Sequence, residues 1–116
     1  MSKRKRKSSK NFKEKHPREI GKFYHAYDKS GGHPSRIYDA DPDKDKYFIQ
    51  RFSTKKRKGR IKLKHSINPK SDNDEWLIKR PEIIGFDDMT FKDKYKDYRI
   101  HPDDEKTVEQ YQTIKK

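Results

Sequence analysis

The chain has 116 residues, of which 27% are hydrophobic and 44% charged, with a formal net charge of +13. That length suits one small domain and excludes two, and so thin a supply of apolar residues leaves the core to seven Tyr, six Phe and one Trp. With no cysteine, disulfides, thiolate zinc sites and thiol nucleophiles are excluded. No window approaches the roughly 18 apolar residues of a membrane span. "MSKRKRKSSK" starts like a signal peptide, but no apolar run follows it, so the protein is expected to stay in the cytoplasm.

In chain order, residues 1 to 22 show no sustained apolar period and read as a disordered basic tail. A single α+β domain is expected over 23 to 116. "KSGGHP" reads as a loop. "SRIYDA", residues 35 to 40, and "KYFIQRFST", residues 46 to 54, read as an antiparallel hairpin joined by the tight connection "DPDKD". In the second strand Phe48, Gln50 and Phe52 face one side, and Tyr47, Ile49 and Arg51 the other. "RIKLKHSI" alternates: Ile61, Leu63, His65 and Ile67 against Arg60, Lys62, Lys64 and Ser66. This predicts a half-buried strand with a cationic outer face. "EWLIKRPEIIGF" supplies a fourth strand, interrupted at Pro81. Pro102 followed by Asp103, Asp104 and Glu105 opens a C-terminal helix whose apolar stripe is Val108, Tyr111 and Ile114. The expected fold is a small twisted, mostly antiparallel sheet of about four strands with one C-terminal helix.

The charge is segregated. Residues 1 to 22 carry ten basic and two acidic groups, residues 23 to 70 thirteen and five, and residues 71 to 116 nine and twelve. The first two segments each hold +8 and the last −3. Lysine used for solubility alone has no reason to segregate. The pattern is that of a polyanion binder, with nucleic acid ahead of an anionic membrane surface. The expected contacts are Lys55, Lys56, Arg57, Lys58, Arg60, Lys62 and Lys64, with Lys3, Arg4, Lys5, Arg6 and Lys7 in the tail. Alternate residues on a strand stand about 7 Å apart, so Arg60, Lys62 and Lys64 can follow a phosphate backbone, with Phe52 or Tyr47 placed to stack on a base. A lysine-rich edge strand also guards against aggregation.

Gly31-Gly32 matches neither nucleotide-binding glycine pattern. Asp39, Asp41, Asp43 and Asp45 lack the central glycine and closing glutamate of a calcium loop. The five histidines, at 16, 25, 33, 65 and 101, include no pair at helical metal-ligand spacing, so neither a metal nor another cofactor is expected. Metal-free RNA cleavage needs a base for the 2′-OH, an acid for the leaving oxygen and cations for the phosphate. His33 and His65 suit the first two tasks and Arg51 the third.

Taken together, "GGHPSRIYDA", "KYFIQRFST", "IKLKHSINPKSD", "EWLIKRP" and "YKDYRIHPDDEK" resemble a family of small basic proteins from phages and mobile elements of Gram-positive bacteria. The resemblance covers about residues 31 to 106, with His33-Pro34, Ile61, Leu63, Asn68-Pro69-Lys70 and Trp76 on its pattern. Its basic sheet with placed histidines is similar to the compact RNase fold of barnase-like, colicin-like and RelE-like toxins. The family's Thr-His-Ser is replaced here by Phe52-Ser53-Thr54, and Ser66-Ile67 stand where its first Asn-Pro falls. The resemblance therefore implies the fold more strongly than catalysis. The leading expectation is a cytoplasmic RNA- or DNA-binding protein. The alternatives are a metal-independent toxin-type endoribonuclease and a module that docks an acidic, antitoxin-like protein.

Overall fold

A computed structural model describes residues 18–26 and 33–115. Of the expected basic tail, residues 1 to 17 lie outside the described residues, as do Gly31 and Gly32. Among the described residues seven strands follow one another: β1 Phe23–Ala26, β2 His33–Asp41, β3 Lys46–Ser53, β4 Arg60–Lys62, β5 Trp76–Ile78, β6 Glu82–Gly85 and β7 Met89–Thr90. A 3-10 turn, Pro102–Asp104, leads into the helix α1, Glu105–Gln110. No helix among the described residues is long and apolar enough to cross a membrane.

The sheet is antiparallel throughout, in the order β4-β5-β3-β2-β1-β7, with β6 also on β3. The expectation of about four strands is corrected to seven. Three causes account for the difference. "FYHA" is a strand of only four residues and β7 of only two, so neither carries a readable period. Pro81 does more than interrupt a strand: it divides 75–86 into two strands with different tasks. β5 bridges β3 and β4, and β6 pairs with the first half of β3.

β3 is thus paired along both edges, and every residue from Tyr47 to Ser53 is buried. Its two faces feed two cores. Tyr47 and Ile49 join Tyr24, Ala26, Ile37, Phe86 and Met89 on one side. Phe52 joins Phe23, Leu63, Ile67, Leu77, Tyr95 and Val108 on the other. Gln50 is fully buried, yet both ends of its amide are used: Nε2 donates to Val108 O at 2.9 Å, and Oε1 accepts from Gln112 Nε2 at 3.1 Å. Those bonds and Val108 itself fasten α1 to the sheet. The helix is shorter than its apolar stripe suggests, because the chain beyond Gln110 leaves helical geometry.

Candidate nucleic-acid interface and active site

After Ser53 the chain enters the basic loop 54–59 and turns into β4 at Gly59, whose φ of 82° suits a residue without a side chain. Arg60 then reaches back. Its Nη1 donates to Ser53 Oγ and to Lys55 O, both at 2.9 Å, while the Lys55 amide donates to the same Oγ at 3.2 Å. Partial burial, and next the charge of Arg57, hold the Arg60 pKa below its usual value. The guanidinium groups of the anchored Arg60 and the exposed Arg57 thus repel one another, a repulsion that an anion relieves. They line a cleft of about 480 Å³ that also presents Lys55, Lys94, His33 and Tyr98.

The segment after β4 departs from the expected strand. The strand ends at Lys62, and after one further backbone bond from Leu63 N the following amides turn to a side chain: Lys64 N and His65 N donate to the two oxygens of the buried Asp104 carboxylate at 2.8 and 3.0 Å. Leu63 and Ile67 remain buried, but His65 leaves their face and is exposed. The expectation that His65 lies on an apolar face is corrected accordingly.

Glu75 secures the other side of this loop. Its carbonyl accepts from Leu63 N at 2.8 Å, and its Oε1 accepts from Ile67 N at 3.2 Å and Ser66 Oγ at 3.3 Å. Only 3% exposed, the carboxyl is pushed up to about 7 by burial, against the opposing pull of those two hydrogen bonds. Burial, followed by the charge of Glu75, raises the pKa of Tyr98, which also shares a side-chain hydrogen bond with Asn68.

Glu75 lines a second cleft as well, of about 590 Å³, which presents Lys62, Lys64, His65, Arg99 and His101. The His65 and His101 rings stack with centroids 3.6 Å apart and planes 19° from parallel. Asp103 Oδ2 lies 2.9 Å from His65 Nε2, and the Asp103 amide donates to His101 Nδ1 at 3.1 Å. The hydrogen bond from His65, ahead of the histidine and lysine charges nearby, holds the Asp103 carboxyl below its usual range. These three residues have ligand atoms within 4.8 Å of one another. The stacking, however, directs the in-plane lone pairs of the two rings along nearly parallel planes, and the Asp103 amide occupies His101 Nδ1. In this geometry the trio is a hydrogen-bonded cluster and not a chelate.

The residues singled out from sequence are dispersed. Lys55, Arg57 and Arg60 line the first cleft with His33; Lys62 and Lys64 line the second with His65. Lys56 and Lys58 are exposed on the loop between. Lys3, Arg4, Lys5, Arg6 and Lys7 lie outside the described residues. Arg51 lines neither cleft. It is 4% exposed, donates from Nε to Glu82 Oε2 at 2.6 Å, and donates from Nη1 to Ala26 O at 3.0 Å. His33 therefore shares its cleft with Arg57, Arg60 and Glu75, while His65 lines the other. Glu75 was missed from sequence, although a signal existed: it shares strand parity with Leu77, which is fully buried.

No protein-family model matches the chain, and no curated protein sequence matches it. Its fold is similar to that of a solved structure described as an endoribonuclease in complex with its cognate antitoxin from mycobacterial species. The TM-score is 0.54 and the identity 13%, over 80% of this chain and 88% of that one. The chain thus shares its overall fold with a toxin-type endoribonuclease.

Proposed function

We propose that the domain binds RNA in the cytoplasm and cleaves it without a metal, as a toxin-type endoribonuclease whose active site is the Arg57–Arg60 cleft. The observation that carries this reading is the pairing of two adjacent guanidinium groups with a buried carboxyl raised to about 7 in one cleft. A carboxyl near neutrality is half ionised at working pH and suited to moving a proton. Glu75 accepts the 2′-OH proton, and the freed oxygen attacks phosphorus. The bond from phosphorus to the 5′-oxygen breaks, and His33 protonates the departing oxygen. The products are a 2′,3′-cyclic phosphate and a 5′-hydroxyl. Arg57 and Arg60 neutralise the charge that develops on the non-bridging oxygens. The shared fold supports the same reading. An acidic protein seated on these cations would silence the cleft, and the structural neighbour is itself described in complex with an antitoxin.

The test is purified protein with mixed-sequence RNA in EDTA. Wild type should yield cyclic-phosphate ends. Glu75→Gln, which preserves shape and the acceptor for Ile67 N, should reduce the rate by on the order of 10²-fold or more with affinity retained. Tight RNA binding without cleavage in wild type would leave a binding domain in place of an enzyme.

A further inference from the structure

The two clefts have a common wall. Ser66, Ile67, Asn68, Ser71, Asn73 and Glu75 line both. Along one lip runs the row Arg60, Lys62 and Lys64, with Arg60 in the first cleft and the two lysines in the second. Among the described residues β4 is an edge strand, and no other strand of them covers this lip. Arg60 and Lys62, two residues apart on β4, are separated by about 7 Å, comparable with the step between phosphates of an extended single strand. Arg99 adds a further cation to the second cleft, in a segment fixed by the bond from its amide to Ile67 O at 2.9 Å. Asp72 and Asp74 also line the second cleft, and Asp74 lies 3.7 Å from Lys62 Nζ, an exposed pair of small energetic weight that a phosphate can displace.

We infer that a single strand of RNA passes from the first cleft along Arg60, Lys62 and Lys64 into the second, so that the second cleft is a subsite for nucleotides flanking the scissile phosphate. This rests on the cleavage reading of the first cleft and extends it to substrate class: single-stranded RNA several nucleotides long. The backbone follows the cationic lip. The bases turn inward, where Asn68 and Asn73 offer donors and acceptors in the shared wall. The stacked His65–His101 pair gives a flat, partly exposed ring surface at the far end, of the kind on which an unpaired base stacks. A rigid duplex does not fit this path, because its bases are already paired with one another.

The experiment measures binding of fluorescent single-stranded RNA oligonucleotides, 2′-O-methylated throughout so that they cannot be cut, three and eight nucleotides long. It compares wild type with a Lys62→Ala/Lys64→Ala/Arg99→Ala variant and with Arg60→Ala. Wild type should bind the eight-mer at least tenfold more tightly than the three-mer. The triple variant should lose that advantage, leave the three-mer nearly unchanged, and reduce the salt slope on the eight-mer by about two units, as three lost single-strand phosphate contacts require. Arg60→Ala should weaken both lengths. Equal affinity for the two lengths in wild type, or an equal loss on both in the triple variant, overturns the second subsite and leaves the first cleft standing. Failure of wild type to bind either length at low salt overturns both readings together.

Discussion

Arg51 and Arg60 lie nine positions apart at the ends of one basic stretch and occupy opposite environments. Arg51 is in the middle of the sheet. There its guanidinium is only 4% exposed and is taken up by Glu82 and the Ala26 carbonyl. Arg60 is on the edge strand, where a hydroxyl and one carbonyl hold it in place while leaving it open to the cleft. What separates a structural cation from one that grips a ligand is the place of its strand in the sheet, not its neighbours in sequence. Substitutions at the two sites should therefore fail in different assays.

The largest effect is expected at Arg51. Arg51→Ala removes the buried partner of Glu82 and leaves the Ala26 carbonyl without this donor, which should destabilise the fold by about 2–4 kcal/mol. Glu82 is half-exposed and can rehydrate, which limits the loss. Urea denaturation reads it directly; a stable Arg51→Ala protein lacking RNA cleavage would transfer Arg51 to the working site. Arg60→Ala should do the reverse, lowering cleavage by on the order of 10²-fold with little change in the denaturation midpoint.

A smaller effect is expected where the edge strand ends. Asp104 accepts two consecutive amides and is itself buried. Asp104→Ala should cost about 1–3 kcal/mol by stranding those donors. Amide exchange at Lys64 and His65 should accelerate beyond that at Leu63. Uniform acceleration across the domain would show that Asp104 is not a local clasp.

These cases also show what could be read in the residues alone. The β2–β3 hairpin was legible because "SRIYDA" and "KYFIQRFST" are long, β-branched and aromatic, with turn chemistry between them. The charge partition was legible because charge needs no fold to be counted. The bulge between Ile37 and Asp39 was not legible. It leaves Tyr38 out of the β2–β3 register, and its hydroxyl donates to Ile114 O at 2.6 Å, a partner 76 residues away. The position of His65 was hidden for the same reason. The alternation of 60–67 is genuine, but a carboxylate 40 residues on competes for its amides and ends the strand. In each case the deciding partner is remote in sequence.

The pH dependence of Glu75 sharpens the contrast between core and edge further. The folded state holds this proton more tightly than the unfolded chain, since burial moves the carboxyl from an ordinary 4.5 up to about 7. The stability this group contributes is complete below about pH 4.5 and is lost as pH rises through about 7. Cleavage runs the other way on its acid side, because a base must be unprotonated: its rate should rise toward about pH 7, until loss of the general acid's proton turns the profile down. Melting temperature and single-turnover rate, measured in parallel from pH 5 to 8, should cross. Glu75→Gln should flatten the stability profile over that window. A stability profile unchanged by the substitution would place the titration on another group.

The smallest effect is expected at the start of the chain, where two deletions bracket a boundary. Removing residues 1–17 takes away eight lysines and arginines against one acid. Affinity for RNA should fall and its salt slope should become shallower, while the melting temperature stays put. Removing residues 1–22 takes more than charge. Arg18 donates to Met89 O from Nη2 at 2.7 Å and from Nε at 3.2 Å, which ties the start of the described chain to β7. Gly21 N donates to Ile37 O at 2.7 Å, and Lys22 O accepts from Ile37 N at 3.2 Å, which extends the β1–β2 pairing beyond Phe23. The longer deletion should therefore lower the melting temperature where the shorter does not. Equal melting temperatures for the two would mean that the bonds of Arg18, Gly21 and Lys22 add nothing to the sheet and that the domain begins at Phe23. A loss already present in the shorter deletion would move the boundary toward the amino terminus.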